Sequence, residues 1–306
     1  MSALSAAPEA VLIVNPTAGR GAAGRRVPEI RRLLGAAGRD WAWHYTRARG
    51  DATRLAREAA LGGTKRVIAV GGDGTLHEVV NGILGTGATA GLIPFGTGND
   101  FARGVGLFGS LETACRAAAG DTVRQIDVGV IEGSSTEGER HFLVLAGTGY
   151  DARTAQTVNA GIRHLSGALA YVWGAILTLR TFEPFALTLT LDGDPPRRLQ
   201  AMFASFANVA TTGGGMKIAP GATPDDGCLD ICLVGAVSKA TLLYQLTQVF
   251  GGKHVGHPAV SMLRARTIHV DADPPQPLLI DGEVHGTTPA TIRLLPGILP
   301  FLVPST

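Results

Sequence analysis

The sequence predicts a doubly wound α/β domain followed by a β-rich sandwich domain. Three observations lead there. Residues 1 to about 130 alternate short apolar, β-branched runs with segments of helical periodicity, the pattern of βα units around a parallel sheet. Within that half a strand twice runs straight into a glycine-rich corner: Val67–Val70 into Gly71-Gly72-Asp73-Gly74-Thr75, and Gly91–Pro94 into Phe95-Gly96-Thr97-Gly98-Asn99-Asp100. From residue 131 to 306 strands follow one another with few helices between them. The 306 residues, 45% of them hydrophobic, supply enough core for two ordinary domains.

The elements read in order as follows. Ala10–Val14 is a strand, and Asn15-Pro16-Thr17-Ala18-Gly19-Arg20-Gly21 a loop at the carboxyl edge of the sheet, where open α/β sheets bind ligands. Val27–Leu34 is a helix, Trp41–Thr46 a strand, Ala52–Ala60 a helix. After the strand Val67–Val70, the residues Leu76, Val79, Val80 and Ile83 share one helix face. Leu111–Ala119 is a helix and Val123–Ile131 a strand carrying Asp127. An acid in an apolar strand is costly unless it is paired, metal-bound or on an exposed face. Gly133–Arg140 is a polar hairpin or hinge, and the domain boundary is placed near residue 130. Beyond it, the strand candidates are His141–Gly147, Ala186–Asp192, Leu199–Asn208, Leu229–Val234, Thr267–Ala272, Pro277–Ile280 and Ala290–Leu295. Gly167–Leu179 is an apolar helix that either joins the core or lines a site for acyl chains. Ser238–Val249 is amphipathic. His254 and His257 lack a third ligand and read as surface or capping groups.

Composition narrows the function. A net charge of +2 implies no bulk attraction to nucleic acid. Three cysteines, Cys115, Cys228 and Cys232, make no paired framework and suit a reducing cytoplasm. The start MSALSAAPEA lacks the basic and apolar regions of a signal peptide. The 13-residue run Gly167–Leu179 is too short to span a bilayer. No GxxxxGK[ST] occurs. Gly19-x-Gly21-x-x-Gly24 sits five residues from its strand, and Gly104-x-Gly106-x-x-Gly109 follows a helix, so both are weak matches to the dinucleotide fingerprint.

The corner after Val70 leaves free N–H groups at a helix start, where the dipole favours anions. Glycines let a phosphate approach the backbone. An acid inside such a cradle calls for a cation, and Mg²⁺ on phosphates is the usual one. Asp73 as a plain helix cap is the alternative.

GGDGTLHEVVNG (Gly71–Gly82) with PFGTGNDFAR (Pro94–Arg103) resembles the diacylglycerol kinase catalytic family of lipid kinases. Gly149-Tyr150-Asp151, the Ala219–Asp230 segment and Ile280-Asp281-Gly282-Glu283 extend the resemblance into the second half. It implies a first domain like those of phosphofructokinase and NAD kinase, with the last residues, Leu299–Pro304, returning to it. ATP would lie in the cleft between the domains. The implied ATP contacts are Asn15, Pro16, Thr17, Ala18 and Gly19, Thr46, the stretch Gly71, Gly72, Asp73, Gly74, Thr75, Leu76 and His77, and Thr97. Asp73, Asp100 and Asp127 would form a carboxylate–water–Mg²⁺ network. Thr223, Asp226 and Cys228 would hold a structural Mg²⁺ through one carboxylate and two carbonyls, although the family usually has Lys where Thr223 stands. Glu283 would be the general base toward a lipid substrate with a free hydroxyl, most simply diacylglycerol giving phosphatidic acid. A turn is the bland reading of both Asp225-Asp226-Gly227 and Asp281-Gly282. Arg20, Arg163 and His164 could meet lipid head groups or solvent.

The implied enzyme is cytoplasmic and peripheral to the inner membrane face, making transient membrane-surface contact; a homodimer is left open. Two other readings stand beside it: an NAD kinase-like enzyme, and a non-catalytic lipid or nucleotide sensor on the same fold. No spacing in the chain encodes a lipid head group.

Overall fold

The computed structural model describes residues 7–134, 136, 138–161 and 168–305. The chain divides into two compact units, residues 1–126 with 297–306, and residues 127–296.

The first unit is built in chain order from β1 (Ala10–Val14), α1 (Ala18–Arg25), α2 (Val27–Gly35), β2 (Trp41–Tyr45), α3 (Asp51–Leu61), β3 (Arg66–Gly71), α4 (Asp73–Ile83), β4 (Thr89–Pro94), α5 (Asp100–Gly104) and α6 (Leu111–Ala119). The strands form a parallel sheet in the order β2-β1-β3-β4. β1 is buried along its whole length and β3 over five of its six residues, as strands covered on both faces must be. Next to β4 lies the end of the chain, with Phe301 paired in parallel with Ala90. Phe301 is fully buried and meets Phe101 edge to face at 5.1 Å between centroids.

α1 is kinked: Gly19, Arg20 and Gly21 all have positive φ, so this stretch keeps the loop character expected of it while a helix resumes behind. The strand order places β1 between strands wound in opposite directions. The loops after β1 and β3 therefore flank a topological switch point.

β5 (Val123–Ser134) carries the chain into the second unit, which contains β6 (Arg140–Phe142), β7 (Leu145–Gly149), α7 (Tyr150–Gly161), α8 (Ala168–Thr181), β8 (Phe185–Leu191), β9 (Arg197–Ala207), β10 (Leu229–Gly235), α9 (Lys239–Gln248), β11 (Val260–Ala265), β12 (Thr267–Asp273), β13 (Pro277–Ile280) and β14 (Glu283–Leu302) up to Pro296, the rest of β14 belonging to the first unit. Neighbouring strands here are antiparallel. Two long strands each change partners along their length. β9 pairs with β8 through Arg197–Ala201 and with β7 and β10 through Ala201–Ala207. β14 pairs with β13 near Glu283 and with β12 over Ala290–Arg293. Strands that change partners in this way make the corners of a sandwich. β12 alternates exposed and buried residues without exception, the mark of a sheet with one wet face.

Three features differ from the sequence expectation. α7 and β11 were not read as elements. His254 is buried, not superficial: its Nε2 lies 3.1 Å from the Ile218 carbonyl oxygen, which satisfies the ring inside the unit. Arg163 and His164 lie outside the described residues. Among the described residues no helix is long and apolar enough to cross a membrane.

Candidate functional site

Three loops of the first unit meet at the carboxyl edge of its parallel sheet. The loop after β1 is tied inward by Asn15, whose Nδ2 donates to Thr75 Oγ1 at 3.2 Å. Asn15 Oδ1 also accepts from the Thr17 amide at 3.1 Å and the Thr17 hydroxyl at 2.8 Å. The loops after β3 and β4 touch glycine to glycine. A Cβ on Gly72 would lie 2.8 Å from Gly96 Cα, and one on Gly96 would lie 2.6 Å from Gly72 Cα. A Cβ on Gly19 would collide with the Phe95 carbonyl oxygen. Glycine is required here because backbone packs on backbone, and the same absence of side chains leaves amides accessible to an anion.

Asp73 links two of these loops. Its carboxylate accepts the amides of Asp100 and Phe101, each at 3.2 Å, so it caps α5 rather than its own helix. Asn99, in the left-handed region at φ 52°, binds the Gly96 amide at 2.7 Å and the Gly96 carbonyl at 2.9 Å. Its importance was not visible beforehand, although Asn beside Gly in a corner is the available signal. Asp100 is buried beside it. Thr46 directly follows β2, with its amide on the Val14 carbonyl at 2.9 Å. Thr97 is exposed at the corner and His77 is half-buried on α4. Leu76 is fully buried and its amide donates to the Gly72 carbonyl, so it serves the core.

In the second unit, Asp281 and Gly282 make a two-residue hairpin loop between β13 and β14, both at positive φ, with Ile280 paired to Glu283. The Asp281 carboxylate accepts three consecutive amides, Leu143 at 2.8 Å, Val144 at 2.9 Å and Leu145 at 3.1 Å. Sequence reasoning missed this anchoring role. It presents Glu283 at the first position of β14, with its side chain 47% exposed and Oε2 3.2 Å from His285 Nε2.

Asp127, also in this unit, is buried, and its Oδ2 accepts the Gly227 amide at 2.8 Å. Asp226 Oδ1 accepts the Cys228 amide at 3.1 Å, and its Oδ2 is paired with the Arg264 guanidinium. Asp226 therefore meets protein donors on both oxygens. Among the described residues no group of three or more His, Cys, Asp or Glu side chains could hold a metal ion.

An apolar cavity, about 790 Å³ of empty space counted out to the solvent, lies inside the second unit. α8 contributes Ala175, α9 contributes Leu242 and Leu246, and Phe203 and Leu279 come from strands. Its polar groups include Asp151 and Ser205, 3.3 Å apart. Burial pushes the Asp151 carboxyl up to about 7, against the opposing hydrogen bonds from the Ala152 amide and Ser205. The Cys232 thiol is likewise pushed up to about 12 by burial, which removes it as a thiolate ligand or nucleophile.

Residues 9–131 match the model of the diacylglycerol kinase catalytic domain, and residues 144–303 match that of the YegS C-terminal NAD kinase beta sandwich-like domain. The chain is 32% identical to a diacylglycerol kinase of Bacillus subtilis over 91% of its own length and 90% of that protein's. It is 31% identical, with the same coverage, to a protein of Chromohalobacter salexigens named "Probable lipid kinase YegS-like". Among solved structures, it is similar to a diacylglycerol kinase from Bacillus anthracis, with a TM-score of 0.74, 26% identity and 97% of each chain covered. An NAD kinase from Archaeoglobus fulgidus in complex with ATP shares the fold at a TM-score of 0.51 and 14% identity, over 97% of this chain and 94% of that one.

Proposed function

This chain belongs to the diacylglycerol kinase catalytic family, and from that premise we propose that it is a lipid kinase, transferring the γ-phosphate of ATP to a lipid hydroxyl. Diacylglycerol, giving phosphatidic acid, is the proposed substrate. The observation that carries the reading is the side-chain-free contact of Gly72 with Gly96, beside Asp73, at the carboxyl edge of a doubly wound sheet. Such an edge offers backbone donors to phosphates.

In this proposal Asn15–Gly19, Thr46, Gly71–His77 and Thr97 surround the nucleotide. The hard carboxylate oxygens of Asp73 and Asp100 fit Mg²⁺, which would neutralise phosphate charge when bound with ATP. Asp127 completes the carboxylate set, with one oxygen already given to Gly227. Glu283 accepts the proton of the lipid hydroxyl as that oxygen bonds to the γ-phosphorus and the bond to the β-phosphate oxygen breaks, releasing ADP. Base catalysis contributes about 10²–10⁴-fold, and positioning contributes the rest. The cavity of the second unit is assigned to acyl chains, since apolar walls suit them. Transient contact with a membrane surface is supported by exposed Trp173, Ile176, Leu243, Tyr244 and Phe250, which lie on or beside the two helices that wall it.

The test is radiolabelled ATP with Mg²⁺ and a panel of diacylglycerol, sphingosine, phosphatidylglycerol, undecaprenol and NAD. Label on a lipid, identified by mass spectrometry, is expected. Label on NAD alone would reject the reading, and saturable ATP binding without transfer would identify a sensor.

A further inference from the structure

The turn Thr223–Cys228 is where the family resemblance implies a structural divalent ion. Its one carboxylate ligand, Asp226, and two of its carbonyl and two of its amide groups already have protein partners. The Pro224 carbonyl accepts the Asp127 amide at 2.7 Å, and the Gly227 amide donates to Asp127 Oδ2 at 2.8 Å. The Gly227 carbonyl accepts Arg266 Nε at 2.8 Å. Asp226 is bound by the Cys228 amide through Oδ1 and by Arg264 through Oδ2.

Arg264 is placed there by sheet register. It sits on β11 directly opposite Asp230 of β10, and its Nε lies 3.6 Å from Asp230 Oδ2. Asp230 is buried, and that same Oδ2 makes no hydrogen bond, so its charge depends on the guanidinium. One planar cation thus faces two carboxylates from the turn and the strand behind it. Arg suits this task because its fork donates in several directions at once and it stays charged. A divalent ion on Asp226 would stand against that guanidinium and be repelled by it.

We infer that Arg264, with Arg266 on the neighbouring carbonyl, is the resident cation of this turn and replaces a structural divalent ion in this chain. The claim is independent of the kinase reading, because its test uses neither ATP nor lipid. The full-length protein is passed through a chelator and gel filtration, its metal content is measured by mass spectrometry, and its thermal unfolding is followed in EDTA and in millimolar MgCl₂. The expected result is no retained divalent metal and a Tm that differs by less than about 1 °C between the two buffers.

Arg264→Met should lower the Tm in EDTA by about 2–4 °C, the shift expected from roughly 1 kcal/mol in a chain of this size. That variant should regain part of the loss with MgCl₂, and Arg264→Met/Asp226→Asn should not. One equivalent of metal retained by the unaltered protein and lost in Asp226→Asn would overturn the inference. So would an EDTA-induced fall in its Tm, or an Arg264→Met variant as stable as the parent. Should Arg264→Met fail to fold, metal content and the EDTA comparison on the unaltered protein still decide the matter.

Discussion

Single residues separate chemistry from scaffold. The Glu283 side chain is half-exposed beside His285, whereas Asp73 supports α5 through two amides. Glu283→Gln should lower kcat by about 10²–10⁴-fold with little change in Tm. Asp73→Ala should cost at least as much activity and also lower the Tm, because capping bonds are worth about 0.5–2 kcal/mol. Initial rates with radiolabelled ATP and thermal scans check both; an Asp73→Ala enzyme more active than Glu283→Gln would contradict the assignment.

Asp151 gives a pH signature. Its carboxyl titrates at about 7 when folded, against an ordinary value near 3.8. The folded state therefore holds a proton that the unfolded chain releases, and stability falls as pH rises between those values, then levels off. Asp151→Asn abolishes this, so its stability relative to the parent should climb from about pH 4 to 7 and stay flat above. Urea titrations across that range measure the difference.

At the level of elements, the three loops of the first unit work as one piece because glycine backbone packs on glycine backbone. Gly72→Ala places a carbon 2.8 Å from Gly96 Cα, where only main chain could yield. The expected outcome is a loss of ATP affinity of more than about tenfold, equivalent to about 1.4 kcal/mol, measured by calorimetry. The strands and helices of this unit were legible in the chain, because Val67–Val70 and Leu76–Ile83 each show one clean period. α7 was not legible: Tyr150–Gly161 is mostly polar and small, with little periodicity to announce a helix. β11 was missed because Val260–Ala265 mixes Ser, Met and Arg and alternates poorly. The hairpin at Asp281-Gly282 was readable as a turn. That Asp281 would gather three amides from residues about 140 positions away was not, since a contact at that sequence distance leaves no local trace.

For the whole molecule, the last residues matter to the first unit. Residues 297–306 belong with residues 1–126, and Phe301 is buried against Phe101. Phe301→Ala should destabilise that unit by about 3–5 kcal/mol, visible as faster amide exchange in β3 and β4. The chain by itself determined the order of an α/β half and a β-rich half, the glycine corners and the acids beside them, because periodicity and turn chemistry are local properties. Only the tertiary structure decided which amides Asp73 and Asp281 would bind, that β9 and β14 would each change partners along their length, and that Arg264 would face Asp226 and Asp230. Those outcomes depend on strand register and long-range packing, which a linear sequence constrains but does not display.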